Sequence, residues 1–179
     1  MLLGCTVSAS IIVILPTPAR QIISAATFAK ELTTLQDPIN VVTPALGIAF
    51  ALNDQPDINV MTLGGKVYKK SMSVRGDYAE AGLANVSCSK LFFGCDGIDT
   101  VTGITCTTVE EATLTNAMMK AASQIILMSD SSKFGRRGFG KICKIEDIDI
   151  IITDKGIPEA IKEQIEEAGV QVIIAGEDC

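Results

Sequence analysis

Small and charged residues follow four apolar runs of this sequence, at the point where each run stops. These polar segments are residues 64–66, 94–99, 130–135 and 153–156. Among them, Asp96, Asp130 and Lys133 offer carboxylate acceptors and one ammonium donor. That set would suit a ligand with several hydroxyls and one anionic group, such as a phosphorylated sugar. Asp-Gly and Asp-Lys-Gly are also ordinary turn sequences, because Asp bonds nearby backbone amides and Gly accepts positive φ. Convergence of the four segments on one sheet edge would favour a ligand pocket.

Composition excludes several kinds of chemistry. The chain contains no histidine, which excludes His-ligated metals, Ser-His-Asp triads and imidazole acid–base catalysis. None of its six cysteines forms a Cys-x-x-Cys pair, so we expect buried reduced thiols rather than a zinc or redox motif. A net charge of −6 repels phosphodiester backbones, so this chain alone is not expected to bind nucleic acid. We predict neither a metal nor a cofactor.

The apolar N-terminal stretch is predicted to contain a buried strand rather than a targeting signal. Leu3-Gly4-Cys5 is faintly similar to a lipoprotein cleavage site, but only four residues precede Cys5 and none of them is basic. Residues 1–15 are also too few to span a bilayer. We therefore expect a soluble, cytoplasmic protein with no membrane partner.

Short β-branched runs alternate along the chain with helix-like segments. The predicted strands are residues 11–15, 41–43, 59–63, 90–94, 125–129, 147–153 and 170–175. The predicted helices are one that ends near Leu35 and residues 45–52, 77–83, 109–123 and 158–168. Strands that are apolar throughout are typical of a parallel sheet covered on both faces. We predict one α/β domain over residues 1–179, with a mostly parallel sheet, helices on both faces and a ligand at the carboxyl ends of the strands.

Several segments, in order, resemble the C-terminal domain of DeoR-type repressors. They are residues 41–43, 45–46, 63–65, 76, 92–99, 103–105, 110–112, 130–134 and 151–154. Residues 94–99 and 130–134 are the most specific of them. The resemblance implies a Rossmann-like fold similar to ribose-5-phosphate isomerase, and a domain that binds a phosphorylated sugar or related metabolite. In that family an N-terminal winged helix-turn-helix contacts DNA, and we expect that half to be absent from this chain.

The resemblance also implies roles for individual residues. Asp96 and Asp99 resemble the paired aspartates of the isomerase, which hold sugar hydroxyls, and Lys133 resembles its phosphate-side lysine. We predict that six further residues of these segments line the site: Gly64, Gly65, Gly97, Thr105, Glu111 and Asp130.

The N-terminal part departs from the family pattern. An Asp-Ser-Gly-Thr-Thr-Thr type turn normally cradles the phosphate at the start of the first helix, but residues 20–25 occupy its place here. Ile22 and Ile23 cannot do that work. Either Arg20 and Ser24 contribute through another geometry, or phosphate binding is weak or lost. The first 20 residues also match the family poorly and form an atypical segment.

Two further departures concern residues on the predicted elements. Pro44 replaces an asparagine of the family and removes an amide donor. Aldose–ketose isomerisation needs a carboxylate base beside C1 and C2, and Thr115 occupies the position of that glutamate. Glu111, one helical turn away, is the residue that could substitute. A site that keeps the ligand contacts without the base favours sensing over catalysis.

Three functions remain open at this point. The favoured one is a non-enzymatic effector-sensing domain within a homo-oligomer, a dimer or a tetramer, whose ligand changes how the attached DNA-binding modules are arranged. The alternative is a sugar-phosphate isomerase or deaminase-like enzyme. The third is a degenerate fragment that binds no ligand, which the altered phosphate loop suggests.

Overall fold

The computed structural model describes the backbone of residues 11–14 and all of residues 38–176. The strands of these regions are β1 (Ile11–Ile14), β2 (Ile39–Thr43), β3 (Ile58–Thr62), β4 (Lys66–Tyr68), β5 (Ser73–Arg75), β6 (Cys88–Phe93), β7 (Gly97–Asp99), β8 (Gly103–Cys106), β9 (Ala122–Met128), β10 (Gly140–Cys143), β11 (Ile150–Thr153) and β12 (Gln171–Ile174). The α-helices are α1 (Leu46–Leu52), α2 (Asp77–Ala81), α3 (Val109–Lys120) and α4 (Glu159–Glu167).

Seven of these strands form one parallel sheet, with the order β12-β11-β9-β6-β1-β2-β3. The chain proceeds from β1 to β2 and β3 at one edge, and later strands fill the other side of β1. Where the strand order reverses in this way, the carboxyl ends of the two neighbouring strands flank the crevice in which α/β proteins bind ligands. By this rule, a ligand is expected beside the carboxyl ends of β1 and β6. The predicted α/β fold with a mostly parallel sheet is confirmed.

Apolar side chains pack on both faces of this sheet. Leu91 and Phe93 of β6 belong to one buried cluster, together with Leu114 of α3. Phe92, which lies between them in the strand, belongs to the other cluster together with Ile48 of α1. Successive side chains of a strand point to opposite faces, so an all-apolar strand needs cover on both. Helices cover both faces, as the sequence predicted.

Two antiparallel units accompany the main sheet, and neither was predicted. One is a three-stranded sheet with the order β10-β8-β7, and the other is the β4–β5 hairpin. The strands of the three-stranded sheet contain Gly97, Gly103 and Gly140, and glycine is typical of turns rather than strands. Both units lie next to the polar segments that follow β3 and β6, and they hold the candidate site.

Most predicted elements are present, with bounds that differ by up to three residues. The helix predicted through Ser123 ends at Lys120, because β9 already begins at Ala122. The strand predicted from Asp147 begins at Ile150, because residues Ile145–Asp147 form a 3₁₀ turn. The predicted helix that ends near Leu35 lies outside the described residues.

The prediction about the cysteines also has an outcome. The cysteines in the described regions are buried free thiols, as predicted: Cys88, Cys95, Cys106 and Cys143. Among the helices of residues 38–176, none has the length and apolar character needed to cross a membrane.

Candidate functional site

The polar segments that follow β6 and β9 pack directly against each other. The thiol of Cys95 lies 3.7 Å from the Ser129 hydroxyl, and the amide of Gly135 donates to the carbonyl of Ile98 at 2.8 Å. Ile98 also forms a β-bridge with Phe134. These contacts bring residues 94–99 and 129–135 together, because β6 and β9 are neighbours whose carboxyl ends meet at one edge.

The charges of Asp96 and Lys133 both influence the pKa of the buried Cys95 thiol. Burial raises the pKa of Cys95 to about 12; the negative charge of Asp96 adds to this rise and the positive charge of Lys133 opposes it. Both charges therefore lie near one sulfur atom. The side chains of Asp96 and Lys133 are half-buried, which leaves them accessible to a ligand. The structure thus places at one edge two of the three groups, Asp96 and Lys133, that the sequence analysis assigned to hydroxyls and phosphate.

Asp96 also contacts the segment that leads into α3. Its Oδ2 atom accepts a hydrogen bond from the Thr107 hydroxyl at 2.7 Å, and its amide donates to the carbonyl of Thr105 at 2.9 Å. The loop after β6 is thereby tied to the end of β8. Thr107 was not predicted as a site residue.

Glu111 forms an ion pair that the sequence analysis missed. Its Oε2 atom lies 3.1 Å from Nη2 of Arg75 on β5, and both side chains are mostly buried. Nη1 of Arg75 donates to the hydroxyl of Thr108 at 2.9 Å. Arg75 adjoins Gly76, which belongs to the family segments, but nothing in its local sequence indicates burial. Its partner Glu111 comes from an element far along the chain.

The groups around Glu111 have opposing effects on the pKa of its carboxyl. Burial raises its pKa above the usual range, the adjacent Arg75 guanidinium lowers it, and the negative charge of Asp96 raises it. Glu111 and Asp96 are therefore close enough for their charges to interact. The site holds two carboxylates beside one guanidinium, which is an arrangement that accepts hydrogen bonds from hydroxyls.

Asp99 has its own set of partners at the other end of β7. Its carboxylate accepts hydrogen bonds from the amides of Thr102 at 2.6 Å and Val101 at 3.2 Å, and it pairs with Arg137 at 3.1 Å. The Thr102 amide is the main cause that holds the pKa of Asp99 down at about 2, and Arg137 contributes to it. The Asp99 side chain thus organises the β7–β8 turn, while Asp96 lies at the β6 end.

Asp130 and Asp154 build the loop that carries Lys133. Asp130 accepts a hydrogen bond from the Ser132 amide at 3.0 Å, at the start of the 3₁₀ turn Ser131–Lys133. Asp154 accepts from the amides of Ser131 at 2.7 Å and Gly156 at 2.8 Å, and these bonds lower its pKa. Both carboxylates therefore fix the backbone on which Lys133 is presented.

The remaining predicted residues lie close to these groups. The hydroxyl of buried Thr105 donates to the Gly97 carbonyl at 3.2 Å and accepts from the Gly138 amide at 2.7 Å, so it ties loop to loop. Gly65 has a φ of 130°, and a Cβ there would lie 2.5 Å from the Arg75 carbonyl oxygen. The Gly64-Gly65 turn therefore lies close against β5. Arg20 and Ser24 lie outside the described residues.

Thr115 is buried in α3 one turn beyond Glu111. Its hydroxyl donates to the backbone carbonyl of Glu111 at 2.8 Å, within its own helix. A threonine with this bond has no basic group to offer to a substrate.

The fold and the charged edge define a class of protein. A parallel α/β sheet carries, at the carboxyl ends of its strands, half-buried groups of both signs that suit a small polar ligand. Residues 23–155 match the model of the DeoR C-terminal sensor domain, and the chain belongs to this family.

Individual relatives agree with this assignment. The chain is 35% identical over 161 residues to a protein of Escherichia coli O157:H7 named as an aga operon transcriptional repressor, covering 88% of this chain and 60% of that protein. It is 33% identical over 155 residues to the HTH-type transcriptional regulator YulB of Bacillus subtilis, with 86% and 60% covered. It is also 33% identical over 132 residues to the regulator GlpR of Haloferax volcanii, with 74% and 51% covered. The chain thus spans about half to 60% of the length of these relatives.

Proposed function

We propose that this chain is the effector-sensing domain of a DeoR-type transcriptional repressor and that its effector is a phosphorylated sugar or a related metabolite. The observation that carries the proposal is the packing of the loop after β6, which bears Asp96, against the loop after β9, which bears Lys133, at the carboxyl edge of the sheet. Carboxylates suit sugar hydroxyls, and an ammonium group suits phosphate.

The proposed division of labour follows the contacts. Asp96 and Glu111 accept hydrogen bonds from ligand hydroxyls, and Lys133 neutralises the phosphate. Arg20 and Ser24 are proposed as additional phosphate contacts in place of the family's hydroxyl-rich loop. Asp99, Asp130, Thr105, Gly97 and the Gly64-Gly65 turn hold the loops from which these groups reach the ligand.

In this proposal, effector binding acts on DNA through the rest of the repressor. The domain assembles as a homodimer or homotetramer and is joined to an N-terminal DNA-binding domain, and the effector favours one arrangement of that assembly. A differential affinity of about 1–3 kcal/mol between the two arrangements is typical of such coupling. The domain is not an enzyme and needs no cofactor, and the protein works in the cytoplasm.

A thermal-shift screen tests this function. The purified chain is mixed with ribose 5-phosphate, fructose 6-phosphate, glucosamine 6-phosphate and galactose 6-phosphate, and with their unphosphorylated parents. A ligand at 100 times its Kd stabilises by about 2.7 kcal/mol, which raises the Tm of a chain of this size by about 5–10 °C. We expect at least one phosphate to do so more than its parent, and Asp96→Asn to reduce the shift. If no phosphate stabilises the chain, the third possibility, a fragment without a ligand, is favoured instead.

One observation favours a second candidate, a sugar-phosphate isomerase. Burial and Asp96 raise the pKa of Glu111, and general bases in enzymes are often tuned this way. Turnover of ribose 5-phosphate or glucosamine 6-phosphate by the purified chain, abolished by Glu111→Gln, would support that candidate. We expect no turnover, because Glu111 already pairs with Arg75 and Thr115 offers no base.

A further inference from the structure

Arg75 joins the β4–β5 hairpin to the carboxylates of the candidate site. Its guanidinium lies 4.6 Å from the centre of the Tyr68 ring and donates to the Ser71 hydroxyl at 3.4 Å, both within the hairpin segment. From the same group, bonds run to Thr108 and Glu111 of the α3 start. Arg75 as a residue is only 8% exposed, so these partners take the place of water around its charge.

On α3, a hydrogen bond holds in place the two residues that Arg75 contacts, Thr108 and Glu111. The Thr108 hydroxyl accepts a hydrogen bond from the Glu111 amide at 3.3 Å, so Thr108 caps the helix that carries Glu111. Arg75 therefore holds both the cap and the carboxylate of the same helical turn. The Glu111 side chain, at 15% exposure, has little room to adopt another position.

We propose that Arg75 is a positioning residue of the ligand site, which keeps Glu111 ionised and directed at the ligand. This rests on the proposed function, because it specifies how one side of that site receives a sugar. Arg75 itself does not touch the ligand in this proposal. Its donors are already directed at Glu111, Thr108 and Ser71.

The groups around Glu111 explain why an arginine is needed. Asp96 on the loop after β6 and the Cys106 thiol on β8 interact with Glu111 electrostatically, and Glu110 is its neighbour on α3. On the hairpin side, Lys66 lies 5.9 Å from the Tyr68 ring that also contacts Arg75. Without the guanidinium, the rise in the Glu111 pKa that burial and Asp96 cause would no longer be opposed by Arg75, and the carboxyl would take up a proton more readily. A protonated carboxyl accepts hydrogen bonds less well and carries no charge.

The first test needs no ligand. The carboxyl carbon of Glu111 is followed by NMR through a pH titration of the wild-type chain and of Arg75→Met, Arg75→Lys and Lys120→Met, with the signal assigned from Glu111→Gln. We expect the midpoint to move to higher pH in Arg75→Met and to return towards the wild-type value in Arg75→Lys, which keeps the charge. Lys120→Met removes an exposed charge from the far end of α3 and should leave the midpoint unchanged.

The second test measures affinity for ribose 5-phosphate and glucosamine 6-phosphate from pH 6 to pH 8. Sugar phosphates titrate near pH 6 themselves, so the readout is the ratio of wild-type to variant affinity at each pH, in which that titration cancels. For Arg75→Met, this ratio should grow as the pH falls from 8 to 6, because an increasing share of the variant must lose a proton to bind. The growth should disappear when Arg75→Met/Glu111→Gln is compared with Glu111→Gln.

The two proposals fail in different ways. An unchanged Glu111 midpoint in Arg75→Met, or an affinity ratio that stays constant with pH, overturns the role of Arg75 while the sensor function stands. Should Arg75→Met not fold, Arg75→Gln, which keeps hydrogen-bond donors without the charge, replaces it in both tests. A Glu111 midpoint at higher pH then supports the role of Arg75, and an unchanged midpoint overturns it. If the wild-type chain binds neither sugar nor any other phosphate of the screen, the proposed function fails and the ligand role of Arg75 falls with it.

Discussion

Lys133 supplies the positive charge on the Cys95 side of the candidate site, and its replacement separates two kinds of ligand. We predict that Lys133→Ala weakens the binding of phosphorylated sugars by about 10–100-fold, because a charge-assisted hydrogen bond contributes about 1.5–3 kcal/mol. Unphosphorylated parents should be affected much less. Calorimetric titration of each pair of ligands measures this, with Lys120→Ala as the control. Equal weakening of both ligands would contradict the phosphate role of Lys133.

The Asp99 carboxylate makes the β7–β8 turn sensitive to acid. Its pKa is lowered from 3.8 to about 2 in the folded chain, so it stabilises the fold above pH 4 and loses that effect as the pH falls through its folded value. We predict that Asp99→Ala is less stable than wild type near pH 6 and that the difference narrows towards pH 3. Urea unfolding across this range measures it. A difference that is constant with pH would show that the ionised carboxylate is not the cause.

At the scale of elements, Gly97 determines whether the loops after β6 and β9 can approach each other. A Cβ at this position would collide with the backbone of Arg136 and lie 2.8 Å from the Thr105 hydroxyl. We predict that Gly97→Ala destabilises the chain by about 1–3 kcal/mol, the usual effect of overpacking, and lowers ligand affinity as the loops separate.

Gly47→Ala is the matched control for Gly97→Ala. Gly47 lies in α1 with no atom near the position of an added Cβ, so alanine should stabilise the chain by about 0.5–1 kcal/mol through helix propensity. Chemical denaturation of both variants shows whether each substitution raises or lowers the free energy of unfolding. If both substitutions changed the free energy of unfolding in the same direction, the close packing around Gly97 would not be the cause of the change.

Elements differ in how far their sequence predicts them. Strand β6 was predictable because Leu91, Phe92 and Phe93 are apolar on both faces, and only a doubly covered sheet accommodates that pattern. Strand β7 was not, because Gly97 and the aspartates beside it equally indicate a turn. Its partner β8 provides the hydrogen bonds that make it a strand, and this pairing has no local signal.

The side chains of the candidate site were likewise only partly predictable from the sequence. That Asp96 and Lys133 share one edge follows from the strand ends on which they lie, so it could be expected from the sequence. Whether an aspartate faces a ligand or caps a turn depends on which amides surround it, as Asp99 shows. The burial of Arg75 depends on Glu111, which is brought to it only by the packing of α3 against β5.

At the scale of the whole molecule, the net charge indicates that the domain proposed to sense the effector is not the part of the repressor that contacts DNA. The chain carries a net charge of −6, with 21 acidic against 15 basic side chains. The described ion pairs use Arg75, Arg137 and Lys162 internally, which leaves fewer cations for phosphates. A protein that binds DNA gains most of its sequence-independent affinity from Lys and Arg against the backbone. In a DeoR-type repressor as proposed, that part of the affinity must come from the DNA-binding domain.

We therefore predict that the 179-residue chain alone does not retard duplex DNA in a gel-shift experiment at low or moderate salt, with or without a sugar phosphate. Fusing it to the helix-turn-helix domain of a DeoR-type relative such as YulB should restore binding, since the acidic domain then needs only to hold two such modules at the spacing of two half-sites. The fusion is the positive control, and its response to the phosphates of the thermal screen reports the coupling. Sequence-specific, salt-sensitive retardation by the chain alone would place DNA contacts within the sensing domain and contradict the separation of the two activities.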